Sequence, residues 1–328
     1  MPPPRRSTEE ALAALAEVRG RPVDSSSVEE LRRELGNRSS HVVAKAAAAI
    51  AALEVEELKP DLVAAFERMM HTPEKTDPGC AAKTAIVSAL DRLDHDDPDL
   101  FLRGIRHVQM EPVWGRQIDA AAELRAVCAI AIARMGYADA LTELADCLAD
   151  PEPPVRSAAA RAVAVHGHPH GLPLLRLRAL IPEADPEVLS DCLTALLDLD
   201  EDERTLRFVA GFLDAPRPEA QEAAALALGE SRAAQAFDLL RSWWEHTTDH
   251  QLRGTALLAI AMLRRESALD FLVSLVAEGA LTDALQAIAA LRIHRVDETL
   301  RQRVVQAASK RAEPRLDAAV AEAFPDEG

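Results

Sequence analysis

Five apolar residues, Val155, Ala158, Ala159, Ala162 and Val163, fall at i, i+3, i+4, i+7 and i+8. That spacing places them on one stripe of an α-helix. The pattern returns along the chain. "ELRAVCAIAIARMGYADALTEL" from Glu123, "PVRSAAARAVAVHGHPHGLPLLRL" from Pro154, "AQEAAALALGESRAAQAFDLL" from Ala220 and "QLRGTALLAIAMLRRESALDFL" from Gln251 share one plan. An Ala-rich helix comes first, a short break follows, and a Leu-rich helix closes the unit. Further copies open at Val42, Cys80 and Val188, and a worn one runs from Leu281. One helix pair cannot bury both its faces, but stacked pairs can. The fold class is therefore all-α, an α-solenoid of about seven to eight helix pairs.

The ends read as caps. Ser7-x-x-Glu10 is a capping box opening a helix through about Val18. Arg21 to Ser27 reads as a loop, and "SVEELRREL" closes at Gly36-Asn37. The domain reading is an N-terminal tail and capping helix over 1–27, then one continuous solenoid over 28–328 ending in the polar "FPDEG". The opening "MPPPRRSTEE" has no apolar core, which predicts no secretory leader. No apolar run reaches about 18 residues, which predicts no membrane span.

The period is uneven. Taking the last apolar residue of each Ala-rich helix as an anchor gives Ile50, Leu90, Ile132, Val163, Leu196, Leu228 and Ile260, with spacings of 40, 42, 31, 33, 32 and 32. The two long intervals each carry about ten extra residues at the same topological place, after the Leu-rich helix and before the next Ala-rich one. The extra segments are 69–79, "MMHTPEKTDPG", and 107–122, "HVQMEPVWGRQIDAAA". Equivalent loops of consecutive repeats are neighbours, so these two should touch.

Composition narrows the picture. The chain is 48% apolar but only 3% aromatic, so its core must be built from Ala, Leu, Ile and Val. The net charge of −17 weighs against a nucleic-acid or anionic-membrane partner, both of which need basic surface. Residues 292–315 run against the average, with seven Arg or Lys to three Asp or Glu, and read as a solvated last helix pair. Cys80, Cys128, Cys147 and Cys192 form no C-x-x-C pair and lie among apolar helical residues. They read as reduced core thiols of a cytoplasmic protein.

The segment Asp150, Pro151, Val155, Arg156, Ala159, Ala160 and Ala162 matches the pattern D-P-x-x-x-V-R-x-x-A-A-x-A. It resembles the HEAT-repeat family, in particular the short bacterial variety called phycobilisome-lyase HEAT-like repeats. The resemblance covers about 28–324. It implies a right-handed superhelix whose second helices line a concave face, used mostly to bind proteins. It also implies that Arg125 and Arg156 hold the repeat's arginine position, where the side chain pairs with an Asp of a neighbouring turn. One type within the family is an iron-dependent hydroxylase with His-Glu pairs, and no His here precedes a Glu.

The two long segments sit over the N-termini of the Ala-rich helices near Gly79 and Glu123, where unpaired N–H groups carry partial positive charge. Lys83 and Arg125 fall in the first turns of those helices, and His71, Lys75, Trp114 and Arg116 in the segments above. With Asp119 and Arg156, these residues make a candidate binding edge for a carboxylate, phosphate or acidic peptide. The alternative is that the loops only cover the core, with Trp114 as a plug.

Other motifs weigh less. His166, His168 and His170 alternate as metal ligands could, but they align with a helix break, where Gly167 is a stop. "GCAAKT" lacks the glycine before lysine and the preceding strand of a phosphate-binding loop. No H-E-x-x-H or G-x-S-x-G is present, and no cofactor is expected. Trp243-Trp244 lies in a Leu-rich helix, which predicts one ring in the core and one near the surface. Three functions stay open. The first is a non-enzymatic scaffold binding a protein or peptide, acidic ones included, on the concave face or the long-loop edge. The others, both suggested by the resemblance, are a DNA-binding glycosylase using Trp114, Asp119 and Arg125, and a chromophore-lyase-like protein.

Overall fold

The computed structural model describes residues 7–325, so the first six residues and the last three of the "FPDEG" tail lie outside the described residues. By contact, the chain divides into two compact units, Met1–Gly167 and His168–Gly328, within the stretch read as continuous from the repeats.

The first unit contains α1 (Thr8–Arg19), α2 (Ser25–Leu35), α3 (Ser40–Ala52), α4 (Lys59–Met70), the single turn α5 (Pro73–Thr76), α6 (Ala81–Arg92), α7 (Pro98–Ile105), strands β1 (Met110–Val113) and β2 (Arg116–Asp119), α8 (Ala122–Arg134), α9 (Ala140–Leu148) and α10 (Pro153–His166). The second contains α11 (Leu172–Leu180), α12 (Pro186–Leu199), α13 (Glu203–Ala210), α14 (Pro218–Ser231), α15 (Ala236–His246), α16 (His250–Met262), α17 (Glu266–Glu278), α18 (Leu281–Leu291), α19 (Glu298–Ser309) and α20 (Pro314–Ala323). The repeat reading holds: helix pairs stack throughout each unit.

In the first unit α1, α3, α6, α8 and α10 pack one against the next, with α2, α4, α7 and α9 as their companions. In the second, α12, α14, α16, α18 and α20 do the same. The Ala-rich stripe explains the order. Ala46, Ala47, Ala82, Ala89, Ala129, Ala158 and Ala159 are buried, and such small side chains let helix axes approach at the short end of about 8–10 Å. The apolar stripe read in α10 is buried from Val155 to Val163.

Several local signals were correct. Ser7 and Glu10 form the reciprocal capping box, at 3.2 and 2.7 Å. Gly167 ends α10 with φ 74°, a left-handed conformation that costs glycine little. The loop at 21–27 is shorter than expected. Asp24 is a helix cap whose carboxylate accepts the Ser27 N–H at 2.8 Å, so α2 starts at Ser25. The all-α class gains one exception, the β1–β2 hairpin, paired from Met110↔Asp119 to Val113↔Arg116. Both rings of the tryptophan pair are buried, against the expectation of one near the surface. Trp244 lies under the Arg253 guanidinium at 4.3 Å and meets Phe271 edge-on.

Close approach leaves its mark at Gly229 in α14. A β-carbon there would lie 2.6 Å from the Ala259 carbonyl oxygen of α16. Gly229→Ala should lower the unfolding free energy by about 1–2 kcal/mol, because overpacking outweighs alanine's better helix propensity. Gly211→Ala is the control, since a β-carbon there meets nothing within 4 Å. Urea melts followed by circular dichroism should show the first variant less stable than the parent and the second not.

Candidate functional site

The segments 69–79 and 107–122 meet. The Gly79 N–H donates to Glu111 Oε1 at 2.8 Å, and Gln109 Nε2 donates to the Asp77 carbonyl at 3.0 Å. Gln109 is buried and also donates to Glu111 Oε1 at 2.5 Å, so one amide and one carboxylate stitch the two loops together.

Below this seam lies a row of ionic contacts. Asp77 is fully buried. Its two carboxylate oxygens accept the N–H groups of Ala82 and Lys83, at 3.0 and 2.9 Å, and so cap α6. The Lys83 ammonium, also fully buried, sits 3.2 Å from Asp77 Oδ2. Asp119 repeats the arrangement one helix pair later. Its Oδ1 accepts the N–H groups of Gln109 and Ala121, at 2.9 and 3.0 Å, and its Oδ2 meets Arg125 Nη1 at 2.5 Å. The rest of the Arg125 guanidinium forks onto Asp150 at 2.9 and 3.0 Å, while Nη1 also donates to the His107 carbonyl at 2.9 Å. Arg156 in turn donates to the carbonyls of Asp150 and Pro151, at 2.7 and 2.8 Å. In each case the basic residue lies six positions after its aspartate.

The structure engages Lys83, Arg125, Asp119 and Arg156 with groups of the chain itself. The two helix N-termini expected to attract an anion already hold carboxylates of the chain itself. Lys83 and Arg125 face inward because a buried charge must be paired. The Arg125–Asp150 pairing follows what the resemblance implied. Asp77, Gln109 and Glu111 have no role in the sequence reading, although aspartate six residues before a basic side chain, repeated three times, is a usable signal. The Asp119 carboxyl is held below the usual carboxylate range. Burial works against its ionisation, and the N–H groups of Gln109 and Ala121 and the Arg125 guanidinium outweigh it. The Asp119 carboxylate, proposed as catalytic in the glycosylase reading, is paired with Arg125 and with two backbone N–H groups.

The residues left facing outward are His71, Lys75, Trp114 and Arg116. Trp114 is 100% exposed at the hairpin tip, so it plugs nothing. It has φ 48° and Gly115 φ 80°, the positive pair of a two-residue hairpin turn in which Asn-Gly is the usual choice. A tryptophan there costs about 1–3 kcal/mol of backbone strain. Met110, Val113 and Ile118 are exposed along the same hairpin, and Val108 just before it.

Beside Arg125, a cavity of about 190 Å³ has charges that are mostly self-paired, Arg106 with Glu143 and Arg125 with Asp150. The four cysteines are free and buried. Burial pushes the thiols of Cys80, Cys147 and Cys192 up to about 12, and that of Cys128 well above its ordinary value, so they stay protonated at neutral pH. His168 and His170 pack edge-on in the turn after Gly167, and among the described residues no group of three His, Cys, Asp or Glu side chains could hold a metal ion. No helix among the described residues is long and apolar enough to cross a membrane.

Two outcomes follow for the ionic row. Arg125→Met leaves the largely covered carboxylates of Asp119 and Asp150 without their cation and should lower stability by about 3 kcal/mol, whereas Trp114→Ala should change it by less than about 0.5 kcal/mol. Asp119 has a depressed folded pKa, so its contribution is present above the ordinary carboxylate range, near about 4, and is lost as pH falls through the folded value. Urea midpoints of the parent should therefore drop on acidification below about pH 4, and Asp119→Asn, already less stable at neutral pH, should drop less.

Comparison with known proteins places the chain. None of the curated proteins matches it. Among solved structures, the complex of CpcE and CpcF of phycocyanin lyase from Nostoc sp. PCC7120 is 17% identical with a TM-score of 0.40, covering 80% of this chain and 94% of that one. Human deoxyhypusine hydroxylase in complex with glycerol is 18% identical with a TM-score of 0.30, covering 97% and 98%. Kap121p bound to Pho4p is 14% identical with a TM-score of 0.45, covering 97% of this chain and 45% of that one. At such identities and scores, no property of those proteins passes to this chain. The family model for HEAT repeats matches twice, over residues 114–204 and 205–292, which is more than half of the sequence. With its stacked helix pairs and the arginine-to-aspartate tie at Arg125, the chain belongs to the HEAT-repeat family.

Proposed function

We propose that this protein is a non-enzymatic scaffold that docks a partner protein or peptide on the β1–β2 hairpin, with Trp114 as the anchor. The observation that carries this reading is a fully exposed tryptophan held at positive φ on a hairpin tip. It stabilises no core, and a glycine or asparagine would relieve its strain, so its value lies outside the chain. Tryptophan and arginine dominate the energetic centres of protein interfaces, and Arg116 follows two residues later. Met110, Val113 and Ile118 widen the apolar contact.

The partner fitting this tip offers an apolar socket with carboxylates at its rim. Arg116, Lys75 and His71 are exposed on the two joined loops, on a chain whose net charge is −17. The protein works in the cytoplasm, where its four buried thiols stay reduced. Catalysis has little support. The thiols are protonated, and the aspartates of the ionic row serve the fold.

Two matched affinity columns test this, one carrying the parent and one Trp114→Ala, both loaded with extract of the native host. A stoichiometric partner held by the parent should bind Trp114→Ala at least about tenfold more weakly, at an unchanged melting temperature. Equal retention on both columns would remove Trp114 as the anchor, and with it this reading.

A further inference from the structure

The second unit holds a feature that the hairpin reading does not use. Between α13 with the turn that follows it and α15 lies a cavity of about 620 Å³, open along one side. Its floor is apolar, made by Leu206, Leu213 and Trp243, each less than a tenth exposed. Its rim carries the carboxylates of Asp214 and Asp238, both exposed and neither joined by an ion pair or a side-chain hydrogen bond among the described residues. The one guanidinium on the rim, Arg207, is engaged by Glu203. His246 donates its Nδ1 proton to the Ser242 carbonyl at 2.7 Å. The rim is thus rich in acceptors and negative charge above an apolar floor.

Room for an occupant comes from Ala210 and Gly211. Gly211 has an ordinary helical φ of −60°, and a β-carbon built on it meets nothing within 4 Å. No backbone reason requires glycine there. A larger side chain would fit the fold and project into open space.

We infer that this groove is a second docking site, for a peptide segment that sets an apolar side chain on Trp243 and Leu206 and places an adjacent lysine or arginine between Asp214 and Asp238. Two observations agree on that occupant. The volume lies within the roughly 300–1,000 Å³ of ligand-binding clefts, and its open side admits a chain running through. Asp214 and Asp238 are exposed and carry no cation of the chain, so a lysine or arginine of the occupant can pair with both. The chemistry is opposite to that of the hairpin edge, so one scaffold presents a cationic apolar tip on its first unit and an anionic apolar groove on its second.

Three fluorescein-labelled peptides test the groove. Each has a Gly-Ser frame around one core: Leu-Lys-Phe-Arg, the apolar-only Leu-Gln-Phe-Gln, or the basic-only Ser-Lys-Ser-Arg. Fluorescence anisotropy at physiological salt should show the first bound at least about tenfold more tightly than the other two. Gly211→Leu fills the cavity without altering charge and should weaken that binding at least about fivefold at an unchanged melting temperature. Asp214→Asn with Asp238→Asn should do the same. Glu187→Gln with Glu201→Gln removes as much charge elsewhere on the same unit and should weaken it less than about twofold. Equal binding of the three peptides, parent-like binding by Gly211→Leu, or an equal loss in the Glu187 and Glu201 control would each overturn the groove. Trp114→Ala should leave the peptide affinity unchanged, so failure at the groove and failure at the hairpin read out separately.

Discussion

Arg125 is the tie on which the first unit depends. Its five N–H donors sit in a fixed fork, and the structure gives them the Asp119 carboxylate, the Asp150 carboxylate and the His107 carbonyl. These groups belong to the end of the hairpin, the turn before α10 and the exit of α7. A single buried side chain therefore ties the hairpin base and the exit of α7 to the turn before α10. The geometry also explains why a charged group can be buried here: four charge-assisted hydrogen bonds replace the water it has lost. Asp77 and Lys83 repeat the plan one helix pair earlier with a simpler donor, and Asp150 carries it one step further by receiving Arg125 and presenting its carbonyl to Arg156.

Most of the fold was legible because its causes are local. The stripe from Val155 to Val163, the Ser7–Glu10 box and the stop at Gly167 each follow from side chains within a few positions of one another. The contact between the two long loops was legible for a different reason. Repeat stacking turns an interval in sequence into a position in space, so two oversized intervals in consecutive repeats had to produce neighbouring loops.

The candidate site was legible only in its location. Lys83 and Arg125 were read as facing a ligand because cations in the first turn of a helix suggest an anion nearby. The anion is there, but Asp77 and Asp119 of the chain supply it. Nothing in the helix periodicity alone separates a helix end that waits for a ligand from one already capped from its own loop. The hairpin escaped notice because its turn is Trp114-Gly115, whereas the usual signals are Asn-Gly or Asp-Gly. Residues that break a local rule at an energetic cost are where function is expected to depart from the fold's own logic.

The base of the hairpin is held by Asp119, Gln109 and Glu111, so the ribbon is fixed before anything touches its tip. Binding through a loose loop must freeze many torsions at the moment of contact, which cancels much of the contact energy. Here that ordering has taken place during folding, and the indole at the tip has only two side-chain torsions left to lose. Under the proposed docking at the tip, the ionic row beneath the loops acts on recognition without touching a partner: it lowers the entropy lost on association.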